Sequence, residues 1–143
     1  TLSGPYGDFY LRGECKEIVM IAGGSGLAPM KSMILDILEK KIDVKMNFFF
    51  GAVTKKDLYY LDFFHDLAAN HKNLRFIPAL SKPAPEDEWD GELGLITEVV
   101  DRYIDNGADM EGYLCGSPGM IDACLRVLDN KGIREDRIFY DKF

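Results

Sequence analysis

Little in this chain points to a membrane span, a metal site or an oxidising compartment. No apolar run approaches the roughly 18 residues that a membrane-spanning helix needs, and the N-terminal residues lack the basic-then-apolar pattern of a signal peptide. Cysteine is scarce and odd in number, with only Cys15, Cys115 and Cys124 and no C-x-x-C spacing. The two histidines, His65 and His71, have no metal-ligand spacing to them. A disulfide framework or zinc site is therefore not expected, and the cysteine usage fits a reducing cytoplasm. Positive charge is also in deficit: the formal net charge of −7 disfavours nucleic acid or an anionic membrane surface as the main partner. Low-complexity tracts are missing, and 47% hydrophobic with 29% charged residues describes one ordinary globular domain.

What is present centres on Ile18-Val19-Met20-Ile21-Ala22-Gly23-Gly24-Ser25-Gly26-Leu27-Ala28-Pro29. An apolar run of buried-strand type ends in glycines, and an amphipathic helix pattern starts at once. Glycines allow a ligand close to the backbone, and the free N–H groups of a helix N-terminus attract anions. Pro29 stands where the third glycine of a G-x-G-x-x-G fingerprint would be, and the Gly-Lys-Ser/Thr ending of a P-loop is missing. Local pattern leaves two readings, a phosphate-binding turn and a purely structural strand–helix turn.

The remaining chain alternates. Residues 18–22 read as a first strand, and apolar positions from Leu27 to Leu38 at helical spacing give a helix to about residue 41. Residues 44–50 read as a second strand, and Asp57 as the N-cap of a helix over 58–70. A third strand over 74–80 precedes a proline-rich acidic loop, 81–92, in which Glu86, Asp87, Glu88 and Asp90 either face a redox partner or are simply solvated. A short helix over 96–104 follows, then a strand over 112–115 and a helix that Ser117 caps and Pro118 opens. A last strand covers 137–140. Five strands alternating with four helices imply an α/β, three-layer, doubly wound five-stranded parallel sheet. In such sheets ligands lie beyond the carboxyl ends of the strands, so loops 23–29, 51–57 and 115–120 should converge there.

Taken together these loops resemble the pyridine-nucleotide domain of the ferredoxin–NADP reductase superfamily, a Rossmann-like domain. Gly4-Pro5-Tyr6-Gly7-Asp8-Phe9 resembles the stretch that leaves the family's flavin-binding barrel. Gly23-Gly24-Ser25-Gly26-Leu27-Ala28-Pro29 is similar to its G-G-[ST]-G-[IL]-x-P turn, Gly51-Ala52 with Asp57-Leu58-Tyr59 to the loop after its second strand, and Cys115-Gly116-Ser117-Pro118 with Met120 to its C-G-x-P-x-M motif. Leu80-Ser81 with Pro83, then Trp89-Asp90-Gly91 leading to Gly94-Leu95-Ile96-Thr97, recur as family landmarks. The Asp57-Leu58-Tyr59-Tyr60 run and the ending Ile138-Phe139-Tyr140-Asp141-Lys142-Phe143 look like two members: the reductases of bacterial oxygenases and the NADH-oxidising subunit of sodium-pumping NADH:quinone oxidoreductase.

The resemblance implies an NADH-dependent flavoprotein oxidoreductase. Residues 1–12 would be the end of an upstream flavin-binding barrel or linker, and 13–143 the NAD(P)H-binding domain. FAD and a [2Fe-2S] cluster are expected only in upstream domains, since the chain shows neither the barrel's own motif nor a four-cysteine spacing. The expected partners are NADH, a covalently linked FAD-binding domain and a downstream acceptor: an iron–sulfur domain, a quinone reductase or an oxygenase component. The expected location is the cytoplasm, with the intact protein bringing the domain to the cytoplasmic face of the membrane in the quinone-reducing case.

By the same resemblance, Gly23, Gly24, Ser25 and Gly26 bind the pyrophosphate, with Pro29 in the first helical turn. Gly51, Ala52, Asp57 and Tyr59 bind the adenosine ribose. Gly116, Ser117, Pro118 and Met120 form the floor under the nicotinamide. Cys115 packs beside the nicotinamide ring, and Phe143 lies against the flavin; the residues alone read equally as a small buried apolar side chain and a terminal aromatic. The loop after the second strand holds no arginine for a 2′-phosphate, and Asp57 would repel one, which favours NAD(H) over NADP(H); Lys55 and Lys56 pull the other way. Two rival functions stay open: a nucleotide-binding sensor without turnover, and a flavodoxin-like FMN carrier, against which the Cys115 motif and Pro29 argue.

Overall fold

Strands at the centre of a parallel sheet are covered by helices on both sides, so they must be apolar without alternation. Three stretches meet that condition with at least five consecutive buried residues: β1 (Glu17–Gly23), β2 (Lys45–Ala52) and β5 (Glu111–Gly116). The structure, a computed structural model, describes residues 16–23, 27–57, 60–89 and 91–142. Within these, β3 (Leu74–Leu80), β4 (Glu92–Leu93) and β6 (Ile138–Lys142) complete a parallel sheet in the order β4-β3-β2-β1-β5-β6. The expected five strands are all present, but the count is six. The addition, β4, pairs only Glu92 with Ala79 and Leu93 with Leu80, and two residues carry no periodicity to read.

Four helices cover the sheet: α1 (Leu27–Glu39), α2 (Leu61–Asn70), α3 (Ile96–Tyr103) and α4 (Pro118–Asn130). On one face, α1 presents Leu27, Met30, Met33, Ile34 and Ile37, and α2 presents Phe64, to Met20, Met46, Phe48 and Tyr113. An aromatic cluster fills this side, with the Phe48 ring 5.1 Å from Phe64 and 5.6 Å from Phe76. On the other face, Val99 and Val100 of α3 and Ile121, Cys124 and Leu128 of α4 pack on Val19, Ile21, Phe49 and Leu114.

Helix ends are set by local chemistry. Ser117 caps α4, its Oγ accepting from the Met120 N–H at 3.4 Å, with Pro118 in the first turn where its missing donor costs little. Gly132, at φ 92°, closes α4, where the Ile133 N–H donates to the Leu128 carbonyl and that of Gly132 to Asp129. Lys41, at φ 54°, ends α1 with the same pair of bonds, Ile42 to Ile37 and Lys41 to Leu38. The expected cap at Asp57 is not observed. A 3₁₀ turn covers Lys55–Asp57, and α2 begins only at Leu61, after Tyr60 in the left-handed region at φ 60°. Tyr60 reverses the chain direction and its carbonyl accepts from the Phe64 N–H, so the helix is three residues shorter than its apolar pattern suggests.

A polar chain built on the buried Asn47 ties β1, β2 and β3 together toward their amino ends. Asn47, fully buried, donates to Glu17 Oε2 at 2.9 Å and to the Ile18 carbonyl at 3.2 Å, and accepts from Arg75 Nε at 3.1 Å. Beyond Arg75, the Tyr103 hydroxyl donates to Glu92 at 2.9 Å, and burial and that carboxylate push the phenol's pKa up. The Asn47 bonds fix strand register near the amino ends, while the Tyr103–Glu92 bond lies at the carboxyl end of β3, where Glu92 pairs with Ala79.

Candidate nucleotide crevice

The strand order reverses between β1 and β5: the chain steps outward from β1 through β2, β3 and β4, then returns to the other side of β1. The helices that follow β1 and β5, α1 and α4, cover opposite faces of the sheet, and in such topologies the candidate ligand crevice lies between those two strand ends. Gly23 ends β1 and Gly116 ends β5. A Cβ on Gly23 would stand 2.5 Å from Met120 Sδ, and one on Gly116 would stand 2.6 Å from Met120 Cε. One thioether thus lies across both strand ends and fills the space that side chains at 23 and 116 would take. Any larger residue at either position would displace it.

Beside it, Ser117, Pro118 and Gly119 are exposed on the first turn of α4. Among the described residues, nothing outside its own turn of helix lies within 4 Å of where a Gly119 Cβ would be. Bare glycine ends, an open first turn and a helix N-terminus suit the flat ring and phosphates of a dinucleotide. On that observation the residues present fit the cofactor.

Cys115 lies one residue before Gly116 and points to the opposite face of the sheet, into the α1 core with Ala22, Leu27 and Met30; its exposure is 0%. Met120 and Cys115 therefore bracket the end of β5 from two sides. Pro29 falls in the first turn of α1, as its position after the glycines implies. Gly24, Ser25, Gly26, Tyr59 and Phe143 lie outside the described residues.

At the β2 end the structure brings Gly51 and Ala52 to the close of the strand, with the Lys55–Asp57 turn following. A Gly51 Cβ would stand 2.7 Å from Ile96 Cβ, so the start of α3 packs directly on that strand end. In the acidic loop after β3, Glu86 and Glu88 are exposed as a solvated segment would have them, Asp87 is not, and Asp90 lies outside the described residues. The Ser81 N–H donates to the Ala52 carbonyl and the Lys82 N–H to that of Val53, each at 3.0 Å. Asp87 turns inward, 8% exposed, and its Oδ2 accepts from the Ala84 N–H at 2.8 Å and the Lys55 N–H at 3.2 Å. Four acidic residues in a proline-rich loop look alike in sequence, and nothing local singles out this one. A second feature missed in the sequence is Lys31 of α1, whose Nζ lies 4.2 Å from the ring centroid of the exposed Tyr60. This cation–π pair joins the first turns of α1 to the start of α2.

Cys124 takes no part in the crevice. It is buried under α4, and desolvation pushes its thiol up to about 12. Among the described residues, no helix is long and apolar enough to cross a membrane.

Comparison with known proteins matches this geometry. One component of the Na(+)-translocating NADH-quinone reductase of Idiomarina loihiensis is 39% identical over the whole chain, and the corresponding component from Haemophilus ducreyi is 40% identical. The chain spans 36% of the length of each. Among solved structures, the Amycolatopsis cytochrome P450 reductase superposes with a TM-score of 0.83 at 29% identity, over 98% of this chain and 42% of that one. The cytochrome b5 reductase domain of Ulva prolifera nitrate reductase does so at 0.79 and 27%, over 93% and 52%. Residues 20–126 match the family described as the oxidoreductase NAD-binding domain, and the chain belongs to that family.

Proposed function

We propose that this chain holds NADH so that its nicotinamide faces a flavin carried by another domain of the same protein. The carrying observation is the pair of glycine strand ends at the topological switch, floored by Met120 and open toward Ser117–Gly119. When bound, the reduced nicotinamide supplies a hydride, and FAD in the neighbouring domain is the acceptor. The chain's own part is positioning. The glycine-rich segment that follows Gly23 takes the pyrophosphate, next to the N-terminus of α1. Met120 and Gly116 support one side of the nicotinamide site, Ser117 and Pro118 border it, and Cys115 backs the strand end from the α1 face. To Phe143 we assign the flavin-contacting aromatic role that the resemblance implies.

The β2 loop takes the adenosine ribose, with Asp57 disfavouring a 2′-phosphate, so NADH is preferred to NADPH. The similarity to quinone-reductase and P450-reductase proteins supports an intact protein that passes electrons onward, through an iron–sulfur centre, to a quinone reductase or an oxygenase component. Calorimetric titration of the chain with NADH and NADPH tests the reading. Tighter binding of NADH is expected. Absence of binding would overturn the assignment, and tighter NADPH binding would overturn the role given to Asp57.

A further inference from the structure

We infer that Asp87 is a positioning residue for the adenosine half of the nucleotide, acting through the backbone of the β2 loop. The inference rests on the function proposed above. Three observations lead to it. First, Asp87 is buried, and one carboxylate oxygen accepts two backbone N–H groups, from Ala84 in its own loop and from Lys55 in the loop after β2. Lys55 is 32 residues away in sequence, so the bond is a tertiary clamp and not a local turn. Second, the residue after it, Glu88, takes the left-handed region at φ 47°, a conformation that non-glycine residues rarely adopt. The chain tolerates that conformation in the turn that directs Asp87 inward. Third, the Lys55–Asp57 turn is the segment between the end of β2 and the start of α2, so whatever fixes the Lys55 N–H fixes the path of the loop.

Two backbone bonds, Ser81 to Ala52 and Lys82 to Val53, register the first part of the two loops. Asp87 extends that lacing outward to Lys55, beyond the last strand pair of β2 with β3. A loop that meets a ligand with its backbone must hold its shape before the ligand arrives, because misplacement by about 1 Å can cost on the order of a hundredfold. Asp87 supplies that shape without touching the ligand.

The test uses ADP-ribose, which carries the adenosine half and no nicotinamide, titrated calorimetrically into the wild-type chain and into D87A, D87N and D87E, with thermal unfolding measured in parallel. D87A, which removes the acceptor for both N–H groups, should weaken ADP-ribose by about tenfold or more at a temperature where it is fully folded. D87N should stay within about threefold of wild type, because its amide oxygen can take the place of Oδ2. If D87A does not fold, D87E carries the test: its extra methylene moves the oxygen off both donors, and weakened binding by folded D87E supports the clamp. Wild-type affinity in folded D87A or D87E, or equal loss in D87N and D87A, overturns the inference. Failure of the wild-type chain to bind ADP-ribose is a different result, and it overturns the nucleotide-binding function itself.

Discussion

At the β1–β5 end of the crevice the floor is a side chain wedged against backbone: Met120 lies over Gly23 and Gly116, one residue beyond the last pair of the two strands, Ala22 with Cys115. At the β2–β3 end the surface is a pair of loops held to each other by hydrogen bonds from Ser81, Lys82 and Lys55, with Ala84 bonding Asp87 within its own loop. The first end is shaped by excluded volume, the second by directional bonds. A reacting ring needs a flat wall at a fixed depth, which packed glycine strand ends provide. A ribose needs donors and acceptors at fixed angles, which a laced loop provides.

The sharpest way to break this comparison is to add one methyl group at each end. G51A should be the more damaging change, because its Cβ meets Ile96 Cβ, which is tied to the α3 backbone, at 2.7 Å. Overpacking of that kind costs about 1–3 kcal/mol. Urea unfolding should show G51A losing stability in that range. G23A meets the sulfur of a flexible side chain, which can swing aside, so its stability loss should be smaller, about 1 kcal/mol or less. Its larger effect should be on NADH affinity, because the displaced Met120 enters the crevice. Adding M120A to G23A should recover part of that affinity, an interaction that a double-mutant cycle reads directly. Equal stability losses for G51A and G23A would show that Met120 is as rigid as Ile96 and no movable plug.

A smaller effect is expected at the cap of α4. The Ser117 bond to the Met120 N–H is long, at 3.4 Å, so S117A should cost only about 0.5 kcal/mol, the low end for a lost N-cap. A loss above about 2 kcal/mol, the top of the range for such caps, would mean that Ser117 has a further structural role.

The two ends also differ in how far the sequence reveals them. β1, α1 with Pro29 in its first turn, and the Ser117–Pro118 start of α4 are all legible in the sequence, because an unbroken apolar run, a helical period and a helix cap each show within a few residues. The glycine pair at 23 and 116 can be located by motif, though its shared contact with Met120 needs the sheet order to bring the strands together. The loop-built end misleads twice. Asp57 looks like a helix cap because it precedes an apolar pattern, yet Tyr60 interrupts that pattern with a left-handed backbone. Asp87 looks solvated among its acidic neighbours, yet its partner lies in another loop. β4 escapes detection because two residues cannot display a period.

A last expected effect concerns a residue outside both ends, and it separates a core cysteine from a crevice one. Cys124 keeps its proton up to about 12 in the folded chain, because burial under α4 penalises the thiolate, against an ordinary value of 9.0. Above the lower value the unfolded chain releases the proton while the folded chain holds it, so folded stability must fall as pH rises from about 9 toward 12. C124A removes this dependence while imposing a pH-independent packing loss. The stability gap between wild type and C124A should therefore be widest at neutral pH and narrow by about pH 10, read from urea unfolding at the two conditions. A gap that stays constant would mean that the thiol titrates alike in both states, and that Cys124 is reached by water in the folded protein.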